Sequence, residues 1–149
     1  MDEHAAPAPN SYALTCEIEV RFRDTDAMGH VNNAVYLSYL EMARVRYWRA
    51  LSGTSDYRQV SFILGEVWVR YKSPTYAGET VVVGVRVREL RGASFDFHYT
   101  LWEKTTGRLL AEAKTTQVMY DYRTQKPMRM PNEFRQKITE FEKIGPTRP

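Results

Sequence analysis

An α+β fold, with one antiparallel sheet wrapped around a single long helix, is predicted by three features of this 149-residue chain. One helical stretch stands early in the sequence and is apolar over more than half of its circumference. Strand-like segments precede it once and follow it four times. The last three strands are joined by short turns, the mark of an antiparallel meander.

The first strand is "CEIEVRFR" (16–23), where Ile18, Val20 and Phe22 face one way and Glu17, Glu19, Arg21 and Arg23 the other. The period then changes. Over 33–51 Tyr36, Leu40, Ala43, Tyr47, Ala50 and Leu51 share one helical face, with Ser38, Glu41 and Arg49 opposite. Such a helix is roughly 28 Å long, and Gly53 is its stop signal. "VSFILGEVWVRYK" (60–72) is rich in β-branched and aromatic residues, and 73–79 is a turn. Next, 80–90 sets Val81, Val83, Val85 and Val87 against Arg86 and Arg88. In 95–103 Phe95, Phe97, Tyr99 and Leu101 point inward, and 108–122 is the last long strand. A short helix near 132–143, begun by Pro131 or Asn132, ends the pattern. One helix covers five strands poorly, so two sheets are expected to join edge to edge.

The organisation is a flexible leader (1–13), one domain (14–122) and a C-terminal extension (123–149). The leader lacks the basic and apolar regions of a signal peptide, and no apolar run is long enough to span a bilayer, so no membrane partner is expected. The single cysteine, Cys16, forms no internal disulfide or metal framework and fits a reducing cytoplasm. The net charge of +3 is spread along the chain without a nucleic-acid-binding signature.

The chemistry concentrates in "RFRDTDAMGHVNNAVYLSYLEMAR" (21–44), where Asp24, Asp26, His30, Asn32 and Asn33 precede the helix. A helix start offers unpaired N–H groups and a partial positive charge, suited to an oxyanion or a polarised carbonyl. A nearby carboxylate can act as nucleophile or as general base for water. Plainer roles compete at each position: Asp24 and Asp26 as turn formers, Asn32 or Asn33 as a helix cap, and His30 as a hydrogen-bonded structural histidine. No His, Cys and carboxylate cluster has metal-ligand spacing.

Together with "VRYKSPTYAGE" and "TGRLLAEAKT", this string resembles the hotdog-fold acyl-CoA thioesterases of the 4-hydroxybenzoyl-CoA thioesterase type, over roughly 14–122. The resemblance implies a five-stranded antiparallel sheet wrapped around a central helix, with the active site at a subunit interface of a homodimer or homotetramer. It implies hydrolysis of a thioester to free acid and coenzyme A, with no cofactor beyond the coenzyme A of the substrate. Asp26 is then the catalytic carboxylate, with His30 and Asn33 assisting. The amides of Val31, Asn32 and Asn33 hold the carbonyl oxygen, and Tyr36, Tyr39 and Leu40 line the acyl pocket. Lys72, Arg88, Arg91, Lys126 and Arg129 are candidates for the phosphates of coenzyme A. An acyl-carrier-protein thioester is an alternative substrate. Enoyl-thioester hydration and non-catalytic acyl-thioester binding are the other readings. The hydratase pattern D-x-N-P-x-H is not met here, since Asp26 and His30 are four apart with no proline between.

Overall fold

Valines at every second position of 81–87 have no exposed surface, and that alternation gives the sheet its inner face. The computed structural model describes residues 6–54 and 61–143. Its elements in chain order are β1 (Leu14–Glu19), α1 (Val35–Ser52), β2 (Phe62–Tyr71), β3 (Thr80–Arg88), β4 (Ser94–Glu103), β5 (Leu109–Asp121), β6 (Lys126–Pro127) and α2 (Asn132–Glu142). Every strand pairing is antiparallel, in the order β1-β3-β4-β5-β2, with the two-residue β6 added to β5. The predicted sheet around a long helix is therefore present, with a short C-terminal helix.

The core lies between α1 and the inner face. Tyr36, Tyr39, Leu40, Ala43 and Tyr47 are the buried stripe of α1. Tyr47 stands edge-to-face on Phe97 of β4 with ring centroids 5.1 Å apart, a geometry worth about 1 kcal/mol beyond burial. The stripe fades in the last turn, where Ala50 is exposed and Leu51 only half-buried.

Two expectations need correction. The first strand ends at Glu19, and Phe22–Asp24 forms a 3-10 turn that leaves Phe22 87% exposed instead of inward. The cause is local: the Asp24 carboxylate takes the N–H of Arg21 at 3.0 Å, which turns the chain before Phe22 can reach the sheet. The helix begins at Val35, not at 33, because residues 33 and 34 form a turn that leads into it.

Tyr12 lies within the expected leader but packs on the outer face of the sheet. Its ring meets Trp102 edge-to-face at 5.7 Å and its hydroxyl bonds Thr100 at 2.6 Å. Gly84 makes room for it, since a Cβ there would come within 2.7 Å of the ring. Residues 1–5, the first part of that leader, lie outside the described residues, as do 55–60 and 144–149.

β2 is an edge strand, and its apolar content stays unusually open: Leu64, Val67, Trp68 and Tyr71 are each more than a third exposed. Helix α1 leans chiefly on β3 and β1, at the far end of the sheet. A seam remains between α1 and β2.

The C-terminal helix is tied to the core by Glu142. Pairing of β1 with β3 stops at Leu14 opposite Val85. Beyond it the N–H of Val87 donates to Glu142 Oε1 at 2.9 Å, and the buried Tyr47 hydroxyl donates to the same oxygen at 2.7 Å. Glu142→Ala leaves both donors without an acceptor and is expected to lower unfolding free energy by about 3 kcal/mol, measured by urea denaturation.

Candidate active site

Asp24 and Asp26 stand two residues apart and do different work. Asp24 is 3% exposed and is bound on every side. Its carboxylate receives the Arg21 guanidinium at 2.9 Å, the Arg21 N–H and the Tyr39 hydroxyl at 2.9 Å. Burial pushes its pKa up, and the bonds from Arg21 and Tyr39 push it down further, so the carboxyl sits below the ordinary value. Burial and the neighbouring Asp24 charge raise the Tyr39 hydroxyl, which stays protonated as the donor.

Asp26 is only half-buried. Its Oδ1 accepts the N–H of Met28 at 2.9 Å, an Asx turn. Its own N–H donates to the His30 carbonyl and its carbonyl accepts from Gly29, whose φ of +86° suits only glycine well. Oδ2 of Asp26 accepts no bond among the described residues. The loop thus closes on itself, with Thr25 and Val31 bridged, and stands Asp26 beside His30 with one oxygen unused. Among the described residues the His30 ring makes one long hydrogen bond, 3.5 Å between Nδ1 and the Val31 carbonyl.

The three amides expected to hold a carbonyl oxygen divide sharply. The Val31 N–H donates to the Thr75 carbonyl at 2.8 Å, and the Asn32 N–H to the Asp24 carbonyl at 3.0 Å. Both are consumed by the fold. The Asn33 N–H has no acceptor among the described residues. Asn32 instead makes a local Asx turn, its Oδ1 accepting the N–H of Ala34 at 2.8 Å, and Ala34 is the N-cap of α1 without a side-chain capping bond. The partial positive charge of the helix start is therefore presented at Asn33.

A depression of about 210 Å³ lies there, lined by His30, Asn33, Tyr36, Tyr71 and Lys72, among others. Asp26 is not among its lining residues and stands in the adjoining turn. Tyr39 and Leu40 are buried in the core, and Tyr39 serves Asp24 instead of a pocket wall. Lys72 is exposed at the end of β2. Among the other basic candidates, Arg91 is committed to Asp96 at 2.6 Å and Arg88 lies 3.9 Å from Glu142. Lys126 and Arg129 are exposed, with no ion pair among the described residues.

Two contributors were missed in the sequence. Tyr71 donates its hydroxyl to the Asn33 carbonyl at 2.8 Å and stands edge-to-face on Tyr36. Thr75, fully buried, holds Val31 through its carbonyl and Tyr36 through its hydroxyl at 2.6 Å. Both lie in the string "VRYKSPTYAGE", and their signal was its distance from the first string. Among the described residues no group of three or more His, Cys, Asp or Glu side chains could hold a metal, and no helix is long and apolar enough to cross a membrane.

The sequence profile of the Thioesterase-like superfamily matches residues 20–138. The long-chain acyl-CoA thioesterase FadM of Escherichia coli is 27% identical over 135 residues, 87% of this chain and 100% of that protein. The acyl-CoA thioesterase YbgC of Haemophilus influenzae is 29% identical over 122 residues, 79% of this chain and 88% of that one. Among solved structures, a thioesterase of Thermus thermophilus complexed with coenzyme A and Zn superposes with a TM-score of 0.82 at 31% identity, covering 91% of this chain and 98% of that one.

The Asp24 anchor carries a pH signature. A carboxyl lowered on folding contributes stability that is complete above its unfolded pKa and is lost as pH falls through its folded pKa. Thermal denaturation from neutrality to below about pH 4 should show a steeper fall in stability for the native protein than for Asp24→Asn. The variant should already be destabilised at neutral pH.

Proposed function

This chain belongs to the Thioesterase-like superfamily, and from that membership we propose that it hydrolyses acyl-CoA thioesters with Asp26 as its catalytic carboxylate. The observation that carries the reading is a pair of open groups in one loop: a carboxylate oxygen on Asp26 and the N–H on Asn33, neither bonded among the described residues, while the N–H groups of Val31 and Asn32 between them are taken by the fold. Asn33 is exposed and Asp26 half-buried, so both groups are open to an incoming thioester. The relatives named as acyl-CoA thioesterases support the same reaction.

In the proposed mechanism the thioester carbonyl oxygen accepts from the Asn33 N–H as negative charge develops on it. A single such donor is worth about 3 kcal/mol of barrier. Asp26 attacks the carbonyl carbon to form a mixed anhydride, which water then hydrolyses to the free acid and the restored carboxylate, or it removes a proton from the water that attacks the carbon directly. The carbon–sulfur bond breaks and the coenzyme A thiolate departs. His30 orients Asp26 or that water, Tyr36 borders the thioester, and Lys72 at the mouth meets the phosphates. Coenzyme A is part of the substrate, and the reaction calls for no resident cofactor.

The reading includes a homodimer at minimum, two of which form the homotetramer. The open β2 edge with its apolar side chains supports it, because an unpaired strand of this kind is a template for a second copy. The enzyme would work in the cytoplasm, where the single, buried Cys16 stays reduced.

Thiol release from short, long and aryl acyl-CoA esters tests the reaction. Asp26→Asn keeps the size and removes the charge, and kcat is expected to fall by at least about a hundredfold with circular dichroism unchanged. Retention of full kcat by the variant would remove Asp26 from the chemistry. Sedimentation velocity should give at least twice the chain mass.

A further inference from the structure

The seam between α1 and β2 holds three depressions in a row. The first lies beside Asn33; the second, about 140 Å³, lies against Leu37 and Val67; the third, about 440 Å³, lies against Trp48 and Phe62. The second and third share Glu41, Arg44 and Leu64, so they are one continuous channel along the helix. The first depression shares no lining residue with them, and from Asn33 to Arg44 the distance is about 16 Å at the rise of an α-helix.

The far end of the channel is walled by Val45, Trp48, Phe62 and Ile63, with Glu41, Arg44, Gln117 and Tyr122 as its polar residues. Arg44 Nη1 donates to the Tyr99 hydroxyl at 3.3 Å, and that hydroxyl lies 2.7 Å from Thr115 Oγ1. Thr115 in turn donates to Gln117 Oε1 at 3.1 Å. An arginine only donates, so the protons run outward along this chain and the Gln117 carbonyl is its terminus. What remains of that amide is its NH₂ group. Gln117 lines the third depression, is 1% exposed, and its Nε2 has no partner among the described residues. The indole N–H of Trp48, which lines the same depression from α1, is likewise buried without one among the described residues. Two buried donors without acceptors carry a standing desolvation cost, and a plain hydrocarbon chain in the channel would leave it in place.

We propose that this end of the channel is a specificity subsite for acyl groups that carry a neutral oxygen acceptor, a hydroxyl or a carbonyl, at their distal end. The inference rests on the thioesterase reading and names the substrate class within it. A carboxylate is disfavoured because Glu41 already stands beside Arg44 at the rim. Gln117 and Trp48 are the recognition residues, and Thr115 is the positioning residue that points the amide.

The test compares dodecanoyl-CoA with its ω-hydroxy counterpart in thiol release, with and without Gln117→Leu. The native enzyme should favour the hydroxylated ester by about tenfold in kcat/KM, and the variant should bring the ratio close to one. Calorimetric titration of the native enzyme with the two free acids provides a second reading that needs no variant: the hydroxy acid should bind tighter by about tenfold. Equal kcat/KM for the two esters in the native enzyme, or a preference untouched in a folded variant, overturns the subsite and leaves the thioesterase reading standing. No thiol release from either ester overturns the thioesterase reading and the subsite with it. A variant that turns monomeric would mean that the second copy fills this channel, and would also overturn the subsite.

Discussion

The buried carboxylate of Asp24 is the constraint on which the rest of the site depends. It gathers Arg21 and Tyr39, and the main-chain carbonyl of the same residue takes the N–H of Asn32, in one knot at the point where β1 gives way to the helix. The knot has two effects at once. It ends the first strand early, and it consumes an amide that would otherwise compete for a carbonyl oxygen. Thr75 consumes the next one, at Val31, from the opposite side. The Asn33 N–H remains, and it sits where the helix dipole adds to its pull. Rigidity here matters more than the number of donors, since a donor fixed before reaction costs no reorganisation when charge develops.

The second constraint is the tilt of α1 towards β1 and β3. A helix centred on a five-stranded sheet would seal both sides equally. This one leaves the β2 side open, so the same packing that buries Tyr36 and Tyr47 creates a channel beside them. The exposed Leu64 and Val67 of β2 line that open side. One fold thus supplies an edge for a second copy and a route for a chain leading away from Asn33.

Much of this was legible in the sequence. The alternation of valines in β3 and aromatics in β4 gave the inner face residue by residue, because a half-buried strand leaves its period in the composition. The helical stripe at Tyr36, Leu40, Ala43 and Tyr47 was equally plain. Phe22 was misread because alternation cannot register a carboxylate two residues on that turns the chain. The two aspartates could not be separated by spacing, since Arg21 and Tyr39 reach Asp24 only through the folded geometry. Nor could the three amides, whose acceptors at Asp24 and Thr75 lie on different segments. Residues that act through backbone atoms of distant neighbours leave little trace in a single sequence.

The most direct test of the account is a crystal structure with a non-hydrolysable acyl-CoA analogue whose carbonyl is retained. The account predicts the carbonyl oxygen within hydrogen-bonding distance of the Asn33 N–H. It also predicts Asp26 Oδ2 turned toward the carbonyl carbon or toward a water beside it. A carbonyl bound elsewhere, with Asn33 N–H still without an acceptor, would contradict it.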